Sequence, residues 1–370
     1  MENCFKHRIN RLKACLKNKN VENIIILKDE NIFYLTGFYG KDSDSIFLLI
    51  NGDMYLFVNF IFLEQAQKSI TTDKINIILY SGDKYGKLLE IIKDYNTRAI
   101  GADGSSITYA DFIKLENFLN LQDKKLLNPG KLVEGLRVIK DDIEIFNIKK
   151  ACNITDNAYS SILNLKSSDI LKFSEIELMH EVEKELIRFG SDGRSFDAIV
   201  ASGKNSSLPH HISSREKIKG GVLLMDFGCK FENYCSDITR TVFLKNNKKN
   251  NEIKKIYDIV LQSQTKAIEA CREGVSCSEL DGLVRDFIKS KGYGENFGHG
   301  LGHGVGIEVH EEPSVSCRSK AILKKNMVIT IEPGIYIKGI GGVRIEDMVL
   351  VKENCCEVLY KSDKACITLG

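Results

Sequence analysis

Apolar residues recur along this chain with two periods, and the switches between them mark where helices and strands should fall. Ile9, Leu12 and Leu16 form a helical stripe within residues 5–16. Short apolar runs at 24–27, 46–50, 54–58, 75–80 and 99–101 predict strands, and the Asn51-Gly52 pair between two of them predicts a tight hairpin. Residues 109–119 predict a helix. An Asn-Pro-Gly turn at 128–130 interrupts the pattern, so a domain boundary is expected there, separating 1–130 from 131–370.

The second region is longer and more regular. Residues 142–165 predict a long helix. Ser174 with Glu177 and Ser276 with Glu279 have the spacing of capping boxes, opening helices that Gly190 and Gly292 should close. Strands are expected at 196–201, 222–229, 237–244, 327–331 and 343–351. The Lys/Asn-rich stretch 245–255 reads as a solvated loop leading into a helix that ends near Cys271.

Composition narrows the class. Of 370 residues, 43% are hydrophobic and 28% charged, ordinary for a globular chain with a real core. Fifty-two Lys+Arg against fifty Asp+Glu leave a net charge of +2, which sets up no field to draw nucleic acid or an anionic membrane. The apolar runs are strand-sized, too short to span a bilayer, and the first residues carry charge where a secretory signal needs an apolar stretch. Eleven cysteines, without a C-x-x-C pair, read as reduced thiols of a cytoplasmic protein.

Five of the seven histidines fall between His210 and His310, which directs attention to that region. Asp226 lies inside an apolar run, where a lone buried charge is costly, and Asp237 follows eleven residues later across a polar turn. Paired strands would bring the two carboxylates face to face, with something positive between them. Taken alone, each aspartate is better explained by a turn cap or an ion pair with Arg240. The tract from Gly298 to His310 alternates five glycines with other residues and carries His299, His303 and His310. It allows close backbone approach, yet fits neither G-x-G-x-x-G nor H-E-x-x-H. Glu332, before Pro-Gly, and Glu346, two residues after Arg344, also sit in strand-like stretches, so Arg344 and Glu346 should share a face. An ion pair between those two is the plain alternative for Glu346. Together Asp226, Asp237, His303, Glu332 and Glu346 offer four carboxylates and one imidazole. That set suits two first-row divalent cations able to make water nucleophilic. His7 and His180 read as ordinary surface or core residues, and Cys229 and Cys235 as small core residues.

These residues resemble the pita-bread metallopeptidases, the family of methionine aminopeptidase, aminopeptidase P and prolidase. The stretch 195–203 with Asn205 and Leu208-Pro-His210, the aspartate spacing, the position of His303, and the Glu-Pro-Gly and Arg-x-Glu-Asp contexts all match. Tyr34-Leu-Thr-Gly-Phe38 more weakly resembles the creatinase/prolidase N-terminal domain. The resemblance implies an α/β (α+β) fold: a small α/β N-terminal domain, then a catalytic domain whose curved antiparallel sheet is covered by helices. It also implies a dinuclear site holding two divalent metal ions, Mn²⁺ first, with Co²⁺, Zn²⁺ or Fe²⁺ as alternatives. Asp226 would bind one ion, His303 and Glu332 the other, with Asp237 and Glu346 bridging. Glu332 would also move a proton, His210 and His310 would act on the substrate, and His299 and Arg344 would support the pocket. The implied reaction is hydrolysis of an Xaa-Pro bond at the N-terminus of proline-containing peptides by a homodimeric aminopeptidase. The alternative is an Xaa-Pro dipeptidase, or prolidase. A catalytically inactive binding protein of this fold would show eroded ligands, and none is missing here.

Overall fold

The computed structural model describes residues 2–72, 74–104, 107–245 and 251–370. The chain divides into two compact units, Met1–Arg137 and Val138–Gly370.

The first unit is built on a mixed six-stranded sheet. Its strands run in the order Ile75–Tyr80, Asp53–Asn59, Ile46–Ile50, Ile24–Ile26, Ala99–Ala102 and Lys125–Leu127. The hairpin turns at Asn51 and Gly52, both with positive φ (47° and 95°), the conformation in which Asn and Gly are tolerated. Ile46, Leu48, Ile50 and Phe57 pack with Tyr85, Leu88 and Ile92 of the helix Lys84–Ile92 to form the core. The apolar stripe at the N-terminus lies on the helix Glu2–Asn18.

The second unit holds a four-stranded sheet (Thr368–Leu369, Ile238–Leu244, Gly221–Phe227, Ile199–Ser202). It also holds a five-stranded one (Glu311–Val315, Gly302–Gly304, Val328–Ile331, Asp347–Val351, Cys356–Val358). Pairing in both is antiparallel, apart from the short Thr368–Leu369 strand. The main core joins Ile253, Ile256 and Val260 of the helix Asn251–Ala270 and Leu280 and Val284 of the helix Cys277–Ser290. Ile329, Ile331 and Val349 complete it from the five-stranded sheet. Both expected capping boxes form, at Ser174 and at Ser276.

Three expectations need correction. Of the stretch read as a solvated loop, residues 246–250 lie outside the described residues, but the chain is helical from Asn251 because Ile253 and Ile256 already begin the buried stripe. The strand expected over 196–201 is confined to Ile199–Ser202. The single strand expected over 343–351 is two, Gly341–Arg344 and Asp347–Val351, in different sheets. The apolar run stays buried on both sides of the break, so hydrophobicity alone does not reveal it. Ile345 and Glu346 occupy that break.

Candidate metal centre

The aspartates come from the antiparallel pair Gly221–Phe227 and Ile238–Leu244. Asp226 lies opposite Thr239 and Phe227 opposite Ile238. Asp237 precedes Thr239 by two residues, so along an extended chain it falls on the same face, diagonal to Asp226 rather than directly across from it. The Asp237 backbone is pinned by one phenol: its N–H donates to the Tyr360 hydroxyl (3.0 Å), which donates to the Asp237 carbonyl (2.7 Å). Arg240 pairs with Asp347 (2.7 Å), so neither site aspartate owes its place to that arginine.

His303 lies in the short strand Gly302–Gly304. Its Nδ1 is 3.1 Å from the Gly304 carbonyl, which assigns the proton to Nδ1 and leaves Nε2 free to act as a ligand. That Nε2 lies 3.4 Å from Glu332 Oε1 and 3.7 Å from Asp237 Oδ2. Burial, with His310 adding to it, pushes His303 down to about 4, so the ring is neutral, as a ligand must be. Close approach explains the glycines here: a Cβ at Gly302 would sit 2.1 Å from the Thr330 carbonyl oxygen. Thr330 in turn accepts the His303 N–H (3.0 Å) and donates to Glu332 Oε1 (3.2 Å), tying the histidine strand to the glutamate that ends the next strand.

Glu346 stands at the strand break and accepts a hydrogen bond from the Thr239 hydroxyl (2.7 Å). Arg344, expected beside it, instead grips Asp226 (Nη2 to Oδ2, 2.6 Å), while its Nε donates to Thr239 and its Nη1 to the Pro209 carbonyl and the Tyr336 hydroxyl. Tyr336 passes the chain on to His299 Nε2 (3.0 Å). Burial drives His299 down to about 4.

All nine residues singled out from the sequence line one cavity of about 330 Å³: Asp226, Asp237, His303, Glu332, Glu346, His210, His310, His299 and Arg344. The rings of His303 and His310 lie 4.3 Å apart, edge to face. Ligand atoms of Asp237, His303 and Glu346 fall within 4.8 Å of one another, close enough to share an ion. Charge points the same way. Burial, followed by the charges of Glu346, Asp226 and Glu332, pushes Asp237 well above the ordinary carboxylate range. Burial with Glu332 and Asp226 does the same to Glu346. Glu332 rises to about 7, chiefly through burial. Asp226 Oδ1 is buried without a hydrogen-bond partner. Four carboxylates crowded around one arginine, one of them with an orphaned oxygen, form a donor set that fits divalent cations.

The model of metallopeptidase family M24 matches residues 147–353, and that of the creatinase/prolidase N-terminal domain matches residues 8–139. The chain belongs to metallopeptidase family M24. Among its relatives, the Xaa-Pro dipeptidase of Pyrococcus furiosus is 35% identical over 97% of this chain and 99% of its own length. The solved Xaa-Pro dipeptidase of Bacillus anthracis is 34% identical with a TM-score of 0.90, covering 99% of this chain and 100% of its own. The X-Pro aminopeptidase of Thermotoga maritima is 32% identical with a TM-score of 0.85, covering 96% and 100%.

In this M24 chain, sequence reasoning missed Thr239, Tyr336 and His211. Thr239 carried a signal, since it lies two residues from Asp237 and shares its face. Tyr336 has none, because its link to Arg344 depends on the hairpin Gly334–Ile337 with Gly341–Arg344. His211 donates to the buried Glu175 (2.7 Å), far away in sequence.

Proposed function

We propose that this metallopeptidase is an Xaa-Pro dipeptidase that works with two divalent cations, Mn²⁺ foremost. The observation that carries the metal reading is the convergence of four carboxylates and one neutral imidazole on one cavity, with an orphaned Asp226 oxygen among them. Asp226 would hold one ion and His303 and Glu332 the other, with Asp237 and Glu346 shared between them, and cations there would lower the pKa of water and polarise the scissile carbonyl. Glu332 accepts a proton from the attacking water and returns it to the prolyl nitrogen as the bond breaks, a task suited to a carboxyl raised by burial. His210 and His310, on the cavity wall, donate to the oxygen that becomes negative in the tetrahedral intermediate. Arg344 and Tyr336 fix Asp226 and His299 in place.

The dipeptidase assignment follows the relatives from Pyrococcus furiosus and Bacillus anthracis and replaces the aminopeptidase expected from the sequence. One observation favours the aminopeptidase as a second reading. Among the described lining residues, the only Lys or Arg is Arg344, and Asp226, Thr239, Pro209 and Tyr336 already engage it. That leaves no dedicated cation for a free prolyl carboxylate. Two assays test these readings. Chelation should abolish hydrolysis of an Xaa-Pro dipeptide and added Mn²⁺ should restore it; hydrolysis indifferent to chelator would overturn the metal reading. A dipeptidase leaves an Xaa-Pro-Xaa tripeptide intact, whereas cleavage of the tripeptide at comparable kcat/KM would transfer the assignment to the aminopeptidase.

A further inference from the structure

His210 sits in a segment with little regular structure. Between the strand ending at Ser202 and the strand beginning at Gly221 there is only a 3₁₀ turn, Gly203–Ser207. Such a segment needs an anchor if a side chain within it is to hold a fixed place in a cleft. That anchor lies behind it. Glu175 is the first residue of the helix Glu175–Arg188, and its side chain is completely buried. Its Oε1 accepts from the Ser202 N–H (2.8 Å), the Ser202 hydroxyl (3.1 Å) and Asn205 Nδ2 (3.0 Å). Its Oε2 accepts from His211 Nε2 (2.7 Å), the Ser214 N–H (3.1 Å) and the Ser214 hydroxyl (2.8 Å). One carboxylate therefore ties down residues on both sides of His210, Ser202 and Asn205 before it and Ser214 after it, as well as its neighbour His211. The Ile176 N–H adds a bond to the Ser214 carbonyl (3.0 Å). From the cleft side, Arg344 holds the Pro209 carbonyl (3.2 Å). The turn at 208–211, closed by the His211 N–H to the Leu208 carbonyl, is clamped from both directions.

We propose that Glu175 is a positioning residue that acts through His210. With His211 bonded to the buried carboxylate, His210 lines the cavity, and this role for Glu175 rests on the function proposed above for His210. Glutamine in place of Glu175 keeps the size but turns one acceptor into a donor. At least one side of the stretch flanking His210 then loses its bonds, and His210 loses its fixed place.

The test is a double-mutant cycle in the Mn²⁺-loaded enzyme with an Xaa-Pro dipeptide. Glu175→Gln should lower kcat roughly 10- to 100-fold with KM and bound metal little changed, as loss of a supporting partner does. In a His210→Ala background the same substitution should cost almost nothing further, because the residue it positions is already gone. His211→Asn, which removes one bond and leaves the others, serves if Glu175→Gln fails to fold, and should show the same non-additivity at smaller amplitude. Fully additive losses, or wild-type kcat in a folded Glu175→Gln enzyme, would overturn the proposal. If His210→Ala is itself silent, the proposed role of His210 fails. A crystal structure of Glu175→Gln then decides the positioning claim: 208–214 displaced with Asp226 and Asp237 unmoved upholds it, and an unmoved segment overturns it.

Discussion

Glu346 and Asp347 are neighbours in the chain, both buried, and their environments are opposite. Glu346 faces the cavity, where burial and the charges of Glu332 and Asp226 push its proton affinity far up, and among side chains Thr239 donates to it. Asp347 faces away, where Gln264 donates to it (3.2 Å) and Arg240 (2.7 Å) and Lys364 (2.7 Å) overcome burial to hold its pKa down. Glu175 repeats the pattern behind His210: burial alone would raise it, yet the bonds led by His211 bring it to about 2. The carboxylates behind the cavity find their partners within the chain. Those in front are left short, with Arg344 on Asp226 the one cation among the described lining residues, and the deficit is what divalent cations at the proposed site would make good.

The contrast is broken most completely by removing the front carboxylates' charge. Asp237→Asn or Glu346→Gln should abolish metal binding. If the ions supply about 4 kcal/mol of transition-state stabilisation, hydrolysis falls on the order of 10³-fold. The same substitutions relieve repulsion in the metal-free protein, so its thermal midpoint should hold or rise. A clear drop would mean that partners within the chain, such as the Thr239 hydroxyl on Glu346, outweigh the repulsion. Behind the cavity the sign reverses. Asp347→Asn leaves Arg240 buried without its counter-charge and should destabilise metal-free and metal-loaded protein alike by about 3–5 kcal/mol, read by urea unfolding.

Acid titration separates the two groups without mutation. The pKa of Glu175 falls from 4.5 to about 2 on folding, so the unfolded chain binds the extra proton. Its contribution, about 3 kcal/mol, is complete above pH 4.5 and disappears as pH falls through 2. For Glu332, raised to about 7, the native state binds the extra proton, and metal-free stability declines as pH rises from 4.5 through 7. Unfolding midpoints of the metal-free protein should therefore pass through a maximum in the mildly acidic range. Metal should abolish the decline on the alkaline side and leave the acid side unchanged. Midpoints that climb steadily to pH 8 without metal would contradict the assignment.

Much of this arrangement was legible in the sequence because its signals are local. Asn51-Gly52 specifies a hairpin by backbone torsion, and the Ser-x-x-Glu boxes specify helix starts by reciprocal hydrogen bonds. Asp226, His303 and Glu332 stand out because a charged or imidazole group in an apolar or glycine-rich run needs a reason. The partners did not show themselves. Arg344 sits two residues from Glu346 yet pairs with Asp226, 118 positions away, and meets Glu346 only through the Thr239 hydroxyl that bonds both. In sequence Glu175 carries no signal beyond that of a first-turn acid in a capped helix, and only tertiary structure brings His211 and Ser214 onto it.

The subtlest expected effect belongs to Thr239, the hydroxyl between the two sides of the site. Its Oγ1 donates to Glu346 Oε2 (2.7 Å) and accepts from Arg344 Nε (2.9 Å), and Arg344 in turn holds Asp226. One atom therefore helps orient two carboxylates, Glu346 directly and Asp226 through Arg344. Thr239→Val keeps the shape and the β-branched fit within the strand Ile238–Leu244 but deletes both bonds. The fold should survive, because the ladder opposite Asp226 and the buried packing are untouched. Metal affinity or kcat should fall roughly 10-fold, the low end of what a lost partner of a ligand costs. Serine should restore most of it by returning the hydroxyl. Metal titration of the three proteins decides the matter: if valine binds metal as tightly as threonine, Glu346 and Arg344 are held by packing alone and the hydroxyl is incidental.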